Sequence, residues 1–210
     1  LSGCTNGLLI KFDQYGNIEW FRNIGSKIQE GLALEVTSDD GILVAGSFWG
    51  DTLTLSNGGV LHNNSGTRNS AGDKYSDGMI VKYTSDGQVD WGKAINGVLA
   101  DRVTSVIELS DGSYVVGGYF NSQITFENGT SITTISSNDG FMVNYYADGT
   151  LKQANTLKCS GDLYINCMIP TSDGGYLVGG SFNGGVIRDD VAPIYSKGYL
   201  DGVIDKYDSQ

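Results

Sequence analysis

The strongest constraint on this chain is that its sequence repeats. A motif of Asp-Gly or Asn-Gly followed by a short apolar run recurs, with its glycine at Gly7, Gly78, Gly140 and Gly202. The last two steps are equal, and the first is longer because of an insert. A long period of this kind indicates a solenoid, a linear array or a propeller, in which one supersecondary unit is copied along the chain. The fold is therefore decided by what one unit contains.

One unit contains four strand-like runs, which we label a to d. In the middle unit these are Val103–Leu109, Tyr114–Phe120, Phe141–Tyr146 and Thr150–Leu157. Asp-Gly turns separate a from b and c from d, and a small hairpin around Asn128-Gly129 separates b from c. Four consecutive antiparallel strands correspond to one propeller blade, whereas solenoid coils are typically shorter, at roughly 20–45 residues. We therefore expect an all-β fold of antiparallel sheets that forms part of a β-propeller.

The repeat spacing also predicts how the blades divide the chain. We expect strands c and d of a partial blade in 1–25, full blades in 26–97 and 98–158, and strands a to c of another blade in 159–210. This makes about three and a half blades, below the usual minimum of about four. We therefore expect either an excerpt of a longer propeller or a chain that completes a ring with a second copy.

The order of motifs within a unit resembles a known family. Residues 101–120, a hairpin containing phenylalanine, and residues 139–149 together resemble the bacterial SBBP-type β-propeller repeat family, over nearly the whole chain. The lysine position of the family's third strand is occupied by Lys11, Lys82 and Lys206, and once by Asn144. The resemblance implies a secreted or surface-attached protein, and it supplies no catalytic residues that could be transferred to this chain.

The charge balance argues against two classes of partner. The formal net charge is −11, with 13 Lys and Arg against 24 Asp and Glu. A nucleic-acid-binding protein needs a basic footprint to release counterions, and an anionic membrane surface would repel this chain. No apolar run long enough to span a bilayer is present. We therefore expect neither nucleic-acid binding nor membrane insertion.

The sequence nominates no catalytic residue, metal ligand set or cofactor site. It has no G-x-S-x-G motif, its one histidine is His62, and its carboxylates show no spacing that marks a glycosidase pair. The Asp-Gly turns offer too few oxygens for calcium. Asp205 replaces an aliphatic residue in strand c, which we attribute to an exposed edge.

Several residues are predicted to serve the structure. Trp20 and Trp91 occupy the same position of successive units, at the start of strand d, which favours packing between blades over sugar stacking. Diglycines inside strand b are expected to allow close approach of strands or blades, at Gly117, Gly118, Gly179 and Gly180. For Cys159 and Cys167 the sequence leaves two alternatives, a disulfide closed by a turn at Gly161 or two separate thiols.

A polar insert distinguishes one unit and is the candidate binding surface. The segment His62–Tyr75 accounts for the extra length of that unit and is rich in glycine and polar residues, which is typical of a surface loop. Its candidate binding residues are Asn63, Asn64, Arg68, Lys74 and Tyr75. We expect a non-catalytic module at the cell surface or outside the cell that binds a protein or a glycan or acts as a rigid scaffold. The alternatives are part of a polysaccharide hydrolase or lyase whose active site lies on other blades, and a filament subunit.

Overall fold

The computed structural model describes residues 6–28, 32–66, 74–188 and 192–208. Within these ranges the named strands all pair antiparallel, and the prediction of an all-β fold with antiparallel sheets is confirmed. The same ranges contain no helix with the length and apolar character needed to cross a membrane.

The strands follow the predicted repeat. In chain order they are β1 (Asn6–Phe12) and β2 (Ile18–Ser26) in the first unit; β3 (Ala33–Val36), β4 (Ile42–Phe48), β5 (Thr52–Thr54), β6 (Val60–His62), β7 (Asp77–Tyr83) and β8 (Val89–Ile95) in the second; β9 (Asp101–Glu108), β10 (Tyr114–Phe120), β11 (Gln123–Thr125), β12 (Ser131–Thr133), β13 (Asp139–Tyr145) and β14 (Leu151–Cys159) in the third; and β15 (Leu163–Pro170), β16 (Tyr176–Phe182), β17 (Gly185–Ile187), β18 (Ile194–Tyr195) and β19 (Asp201–Tyr207) in the fourth. Strand b of the middle unit has its predicted bounds, and the other long strands of that unit differ from prediction only slightly at their ends.

Each long sheet runs in the order of its strands along the chain. The second unit forms the sheet β3-β4-β7-β8, the fourth forms β15-β16-β19, and the first contributes β1-β2. The third sheet has six strands, because the β17–β18 hairpin of the fourth unit pairs with β14 through Lys158 and Cys159. The other two hairpins, β5–β6 and β11–β12, form sheets of their own.

The third long strand of each inner sheet is covered on both faces. Every residue of β7 and of β13 is buried. Successive side chains of a strand point to opposite faces, so Ile80 joins the core shared with the third unit, whereas Met79 and Val81 join the core shared with the first. Three apolar cores of this kind lie between the four units.

The structure corrects the sequence-based alignment of the a–b turn of the second unit with that of the third unit. The repeat spacing matches Asp40 with Asp111, but the turn that closes with Thr37 N–H to Gly41 O corresponds to the one that closes with Leu109 N–H to Ser113 O. Asp39 is therefore the equivalent of Asp111. Asp40 adopts a φ of 60°, in the left-handed region that Gly112 occupies in the third unit. Asp adopts this conformation more readily than most side chains do. The sequence around Asp40 therefore looks like a regular Asp-Gly turn, although Asp40 itself occupies the position of the turn glycine.

Candidate functional site

The two repeated tryptophans lie on the turn of the following unit. Trp20 donates from its indole N–H to Ser85 O at 3.1 Å, and a Cβ placed on Gly87 would lie 2.9 Å from the Trp20 ring. Trp91 repeats the arrangement on the c–d turn of the third unit, where its indole N–H donates to Ala147 O at 3.1 Å. Each ring therefore packs one unit against the next.

The diglycines make room for neighbouring atoms. A Cβ on Gly118 would lie 1.8 Å from Arg102 O in the adjacent strand, and one on Gly180 would lie 2.3 Å from Tyr164 O. A Cβ on Gly117 would instead meet Met168 of the fourth unit, at 2.6 Å from its sulfur. The Gly179 position faces Cys167 Sγ at 2.9 Å. These glycines thus permit close approach both within a sheet and between units.

The insert His62–Tyr75 is closed at its base by hydrogen bonds. Asn63 Nδ2 donates to Tyr75 O at 2.7 Å, and Lys74 Nζ donates to Asn63 O at 2.6 Å. The Asn63 side chain is buried and holds the two ends of the loop together, and its role as a binding residue stays a prediction. Asn64 is exposed. Arg68 lies outside the described residues.

The two candidate disulfide partners are separate thiols. Cys159 ends β14 in the third unit and is buried, whereas Cys167 lies in β15 of the fourth and is exposed. Cys159 Sγ donates to Asn183 O at 2.9 Å, and burial raises the pKa of this thiol. Of the two alternatives left by the sequence, the structure has the two separate thiols, with Cys159 hydrogen-bonded to the fourth unit through Asn183.

The aspartate of the repeated Asp-Gly motif accepts a backbone hydrogen bond at the end of strand d. Asp77 accepts from Gly97 N–H at 3.2 Å and from Asn64 N–H at 2.9 Å. Asp139 accepts in the same way from Cys159 N–H at 2.8 Å. Burial raises the pKa of Asp77 to about 7 in spite of these donors. The repeated aspartates therefore have a structural role.

A second buried carboxyl group was not singled out by the sequence. Asp101 is fully buried, and neither of its carboxyl oxygens has a hydrogen-bond partner. Burial first, and the neighbouring charge of Asp77 second, raise its pKa well above the ordinary value. The fourth unit has Leu163 at the same position of the repeat. Within the described ranges no three His, Cys, Asp or Glu side chains are grouped so as to hold a metal ion.

A lysine of strand c holds the a–b turn in two units. Lys82 Nζ lies 2.6 Å from Asp39 Oδ1, and Lys206 pairs with Asp173 in the fourth unit. The hydrogen bond from Lys82 is the main reason that the pKa of Asp39 falls to about 2. The third unit has Asn144 at the lysine position, and there a lysine of strand d makes the contact instead.

The replacement lysine is Lys152. Its Nζ lies 2.9 Å from Asp111 Oδ2. The Ser113 hydroxyl is the main cause, and Lys152 the second, of the fall in the pKa of Asp111 to about 2. The third unit therefore keeps the ion pair of the turn while Asn144 becomes available for another role.

Asn144 lines a cleft between the third and fourth units. The cavity has a volume of about 660 Å³. Its lining comprises Ile132, Asn144, Gln153, Ala154, Asn155, Thr156, Leu157, Lys158, Tyr176, Ile187, Arg188, Asp205, Lys206, Tyr207 and Asp208. This size falls within the range of small-molecule binding pockets, about 300–1,000 Å³.

Two core positions of the repeat have become an ion pair in this cleft. Arg188 stands where the third unit has the buried Phe126, and Asp205 stands where it has the buried Val143. Arg188 Nη1 lies 2.8 Å from Asp205 Oδ1. Asp205 is 8 % exposed and faces the third unit, so the expectation that it marks an exposed edge was wrong. The substitution instead supplies the partner that Arg188 needs inside the interface.

Three more positions in the cleft depart from the repeat towards amide side chains. Gln153 stands at the Trp20 and Trp91 position and donates from Nε2 to Asn155 Oδ1 at 3.1 Å. Asn155 itself replaces Lys93 of the preceding unit. Asn144 Oδ1 and Arg188 Nε are buried without a hydrogen-bond partner. The part of the interface that tryptophan covers in the earlier units is therefore polar and hollow here, beside the apolar core that the third and fourth units share.

Comparison with known proteins gives distant similarity. No protein-family model matches the chain. Over 150 residues it is 22 % identical to a protein named "Uncharacterized WD repeat-containing protein L264" of Acanthamoeba polyphaga mimivirus, covering 69 % of this chain and 11 % of that protein. Over 131 residues it is 27 % identical to "Regulatory protein FlaEY" of Caulobacter vibrioides, covering 62 % of this chain and 13 % of that protein. The matched regions are therefore small parts of much longer proteins.

Proposed function

We propose that the chain is a segment of a β-propeller of the kind that the SBBP-type repeats form, with each unit as one blade. Two observations support the proposal. The third long strand of each inner sheet is buried on both faces between neighbouring units, and Trp20 and Trp91 each lie on the turn of the next unit. WD repeats are propeller blades of four strands, so the name of the mimivirus relative agrees with this architecture.

The function we propose for this scaffold is non-catalytic binding of a protein or a glycan, outside the cell or at its surface. The observation that carries the proposal is the cleft between the third and fourth units, where Arg188, Asp205 and Gln153 replace apolar residues of the repeat in one interface. Local departures from an otherwise consistent pattern tend to mark functional sites. A stiff stack of sheets also lowers the ordering cost of binding, and the family resemblance favours export.

The test is a binding survey with two variants. The purified chain is applied to an array of defined glycans and extracellular-matrix proteins. In one variant residues 67–73 are replaced by a short Gly-Ser linker, which keeps the Asn63–Lys74 contact at the base of the loop. The other variant, described below, alters the cleft. We expect the wild type to bind at least one ligand class without chemically changing it, and the shortened variant to keep its Tm.

The outcomes assign the binding surface. Loss of a protein ligand in the shortened variant supports a role for the insert His62–Tyr75, and equal binding contradicts it. Turnover of a bound polysaccharide would show that the segment is catalytic. If the wild type binds neither glycans nor proteins, the proposed function as a binding module is wrong.

A further inference from the structure

We propose that the cleft between the third and fourth units binds a neutral saccharide through hydroxyl groups that meet Asn144, Asn155, Gln153 and the Arg188–Asp205 pair. This inference rests on the proposed function and specifies its ligand and its site. It concerns a surface distinct from the insert His62–Tyr75, and no residue outside the described ranges takes part in it.

The first step is that the polar character of the cleft is concentrated in one interface. At the corresponding positions the second unit has the apolar Leu55 and Val81, both buried in the core with the first unit. In the fourth unit the same two positions carry Arg188 and Asp205, whose charges meet at 2.8 Å. Replacing two apolar side chains with an ion pair seldom improves stability, because desolvation offsets the Coulombic gain. Stability alone therefore does not account for the change.

The second step is that two buried polar atoms of the cleft lack hydrogen-bond partners. Asn144 Oδ1 requires a donor, Arg188 Nε requires an acceptor, and both atoms are buried without a partner. Asn144 as a whole is 4 % exposed. A hydroxyl group is at once a donor and an acceptor, so a polyhydroxylated ligand can satisfy both atoms. Since neither atom contacts solvent in this structure, binding includes a rotamer change in the cleft wall, as is common at binding sites.

The third step concerns the charge of the ligand. Arg188 is already neutralised by Asp205, and Lys206 is paired with Asp173. The amide pair Gln153–Asn155 adds donors and acceptors without charge. The whole chain carries a net charge of −11, which disfavours anionic ligands at long range. Together these features favour a neutral sugar over a uronic acid or a sulfated glycan.

Tyrosine rings supply an apolar wall beside these polar groups. Tyr176 and Tyr207 stack with ring centroids 5.5 Å apart and planes 13° from parallel, and both line the cleft. Ligand pockets typically combine such apolar surface with a few convergent polar groups. The cleft therefore has both components that recognition of a sugar ring requires.

The experiment restores the repeat's own residues in the cleft. The double variant Arg188→Phe with Asp205→Val copies Phe126 and Val143 of the third unit and replaces the ion pair in the cleft with apolar side chains. We expect calorimetric titration with neutral oligosaccharides chosen from the array to show at least a tenfold loss of affinity, with the β-sheet circular dichroism unchanged. Gln153→Trp, which restores the residue of Trp20 and Trp91, provides an independent test if the double variant does not fold.

A matched control lies in the preceding interface. Lys93 is the counterpart of Asn155 in the second unit, and it lies outside the cleft. Lys93→Asn therefore introduces the same side chain outside the cleft, and it should leave the affinity for the oligosaccharide unchanged. Affinity equal to wild type in both cleft variants overturns the inference and leaves the proposed function standing. Wild-type binding restricted to anionic glycans, or to proteins alone, overturns it as well. Failure to bind any glycan or protein overturns the proposed function too.

Discussion

Asp101 is a buried carboxyl group at a position where the repeat otherwise accepts an apolar side chain. Its closest surroundings are tight, because a Cβ on Gly97 would lie 1.7 Å from Asp101 Oδ2. The backbone N–H of the same Gly97 donates to Asp77, so the two carboxyl groups converge on this glycine. Burial favours the protonated form of both acids, and the charge of Asp77 adds to this effect for Asp101, which agrees with the raised pKa values of Asp77 and Asp101.

Asp101→Leu, which copies Leu163 of the fourth unit, should stabilise the fold. It removes two buried oxygens without partners, and we expect a gain of ~1–3 kcal/mol in the free energy of unfolding at neutral pH. A folded-state pKa above the unfolded value means that the native state binds the proton more tightly. The contribution of protonated Asp101 to the free energy of unfolding is therefore present at acidic pH, and it is lost as the pH rises above the ordinary range for aspartate.

The measurement is urea unfolding at pH 5 and pH 8. The wild type should lose more stability between these values than Asp101→Leu does, and the loss that remains in the variant comes from the other carboxyl groups with a raised pKa, among them Asp77, whose pKa is about 7, and Asp139. Asp101→Asn separates charge from volume, since it keeps the shape and cannot titrate. A pH dependence that is the same in wild type and Asp101→Leu would show that Asp101 is not the responsible group.

At the scale of the strands, the sequence predicted what depends on local chemistry. The Asp-Gly turns and the alternation of apolar residues placed the strands of the middle unit almost to their observed ends, because both signals act between near neighbours in the chain. The register of the second unit's a–b turn was missed, since Asp40 occupies a conformation in which a glycine is the usual signal.

The cleft was missed for a different reason. In the sequence Asp205 and Asn144 already depart from the repeat, but only the alignment of successive units shows that Arg188 and Gln153 replace Phe126 and Trp91 as well. That these positions share one interface depends on which strand faces which unit. The contact arises from tertiary packing, and no local pattern reports it.

The lysines that hold the a–b turns should differ in importance. The side chain of Lys82 is 2 % exposed and contacts both Thr37 Oγ1 and Asp39, whereas the side chain of Lys152 is 18 % exposed; the paired carboxylates are exposed in both units, at 64 % for Asp39 and 47 % for Asp111. Lys82→Met should cost about 1.5–3 kcal/mol, in the range of a hydrogen bond to a charged group. Lys152→Met should cost less than about 1 kcal/mol, as for a surface ion pair.

Chemical denaturation with and without salt distinguishes the two lysines. Added sodium chloride should shrink the effect of Lys152→Met, because exposed pairs are screened, and should change that of Lys82→Met little. Equal costs for the two variants, with equal salt dependence, would mean that burial does not set the strength of these contacts.

At the scale of the molecule, the outermost sheets expose residues that the inner sheets bury. Ile204 is 77 % exposed, while Met142, its counterpart one unit earlier, is fully buried. At the other end Leu8 is 58 % exposed, and its counterpart Met79 is fully buried. Each inner face is covered by a neighbouring unit of the same kind. The two outer faces therefore fit another unit of this repeat, and in a solution of this chain alone the available unit is a second copy.

We accordingly expect concentration-dependent self-association through these end faces. Burial of apolar surface drives it, while the net charge of −11 opposes it. Added salt should therefore strengthen association by screening the repulsion. Ile204→Lys should abolish it in sedimentation velocity experiments, and Tyr15→Lys, which places the same charge on the exposed turn of the first unit, should not. If the sedimentation coefficient of the wild type is independent of concentration at both low and high salt, the end faces do not pair. Salt would then have screened the electrostatic repulsion between copies without allowing the apolar end faces to associate.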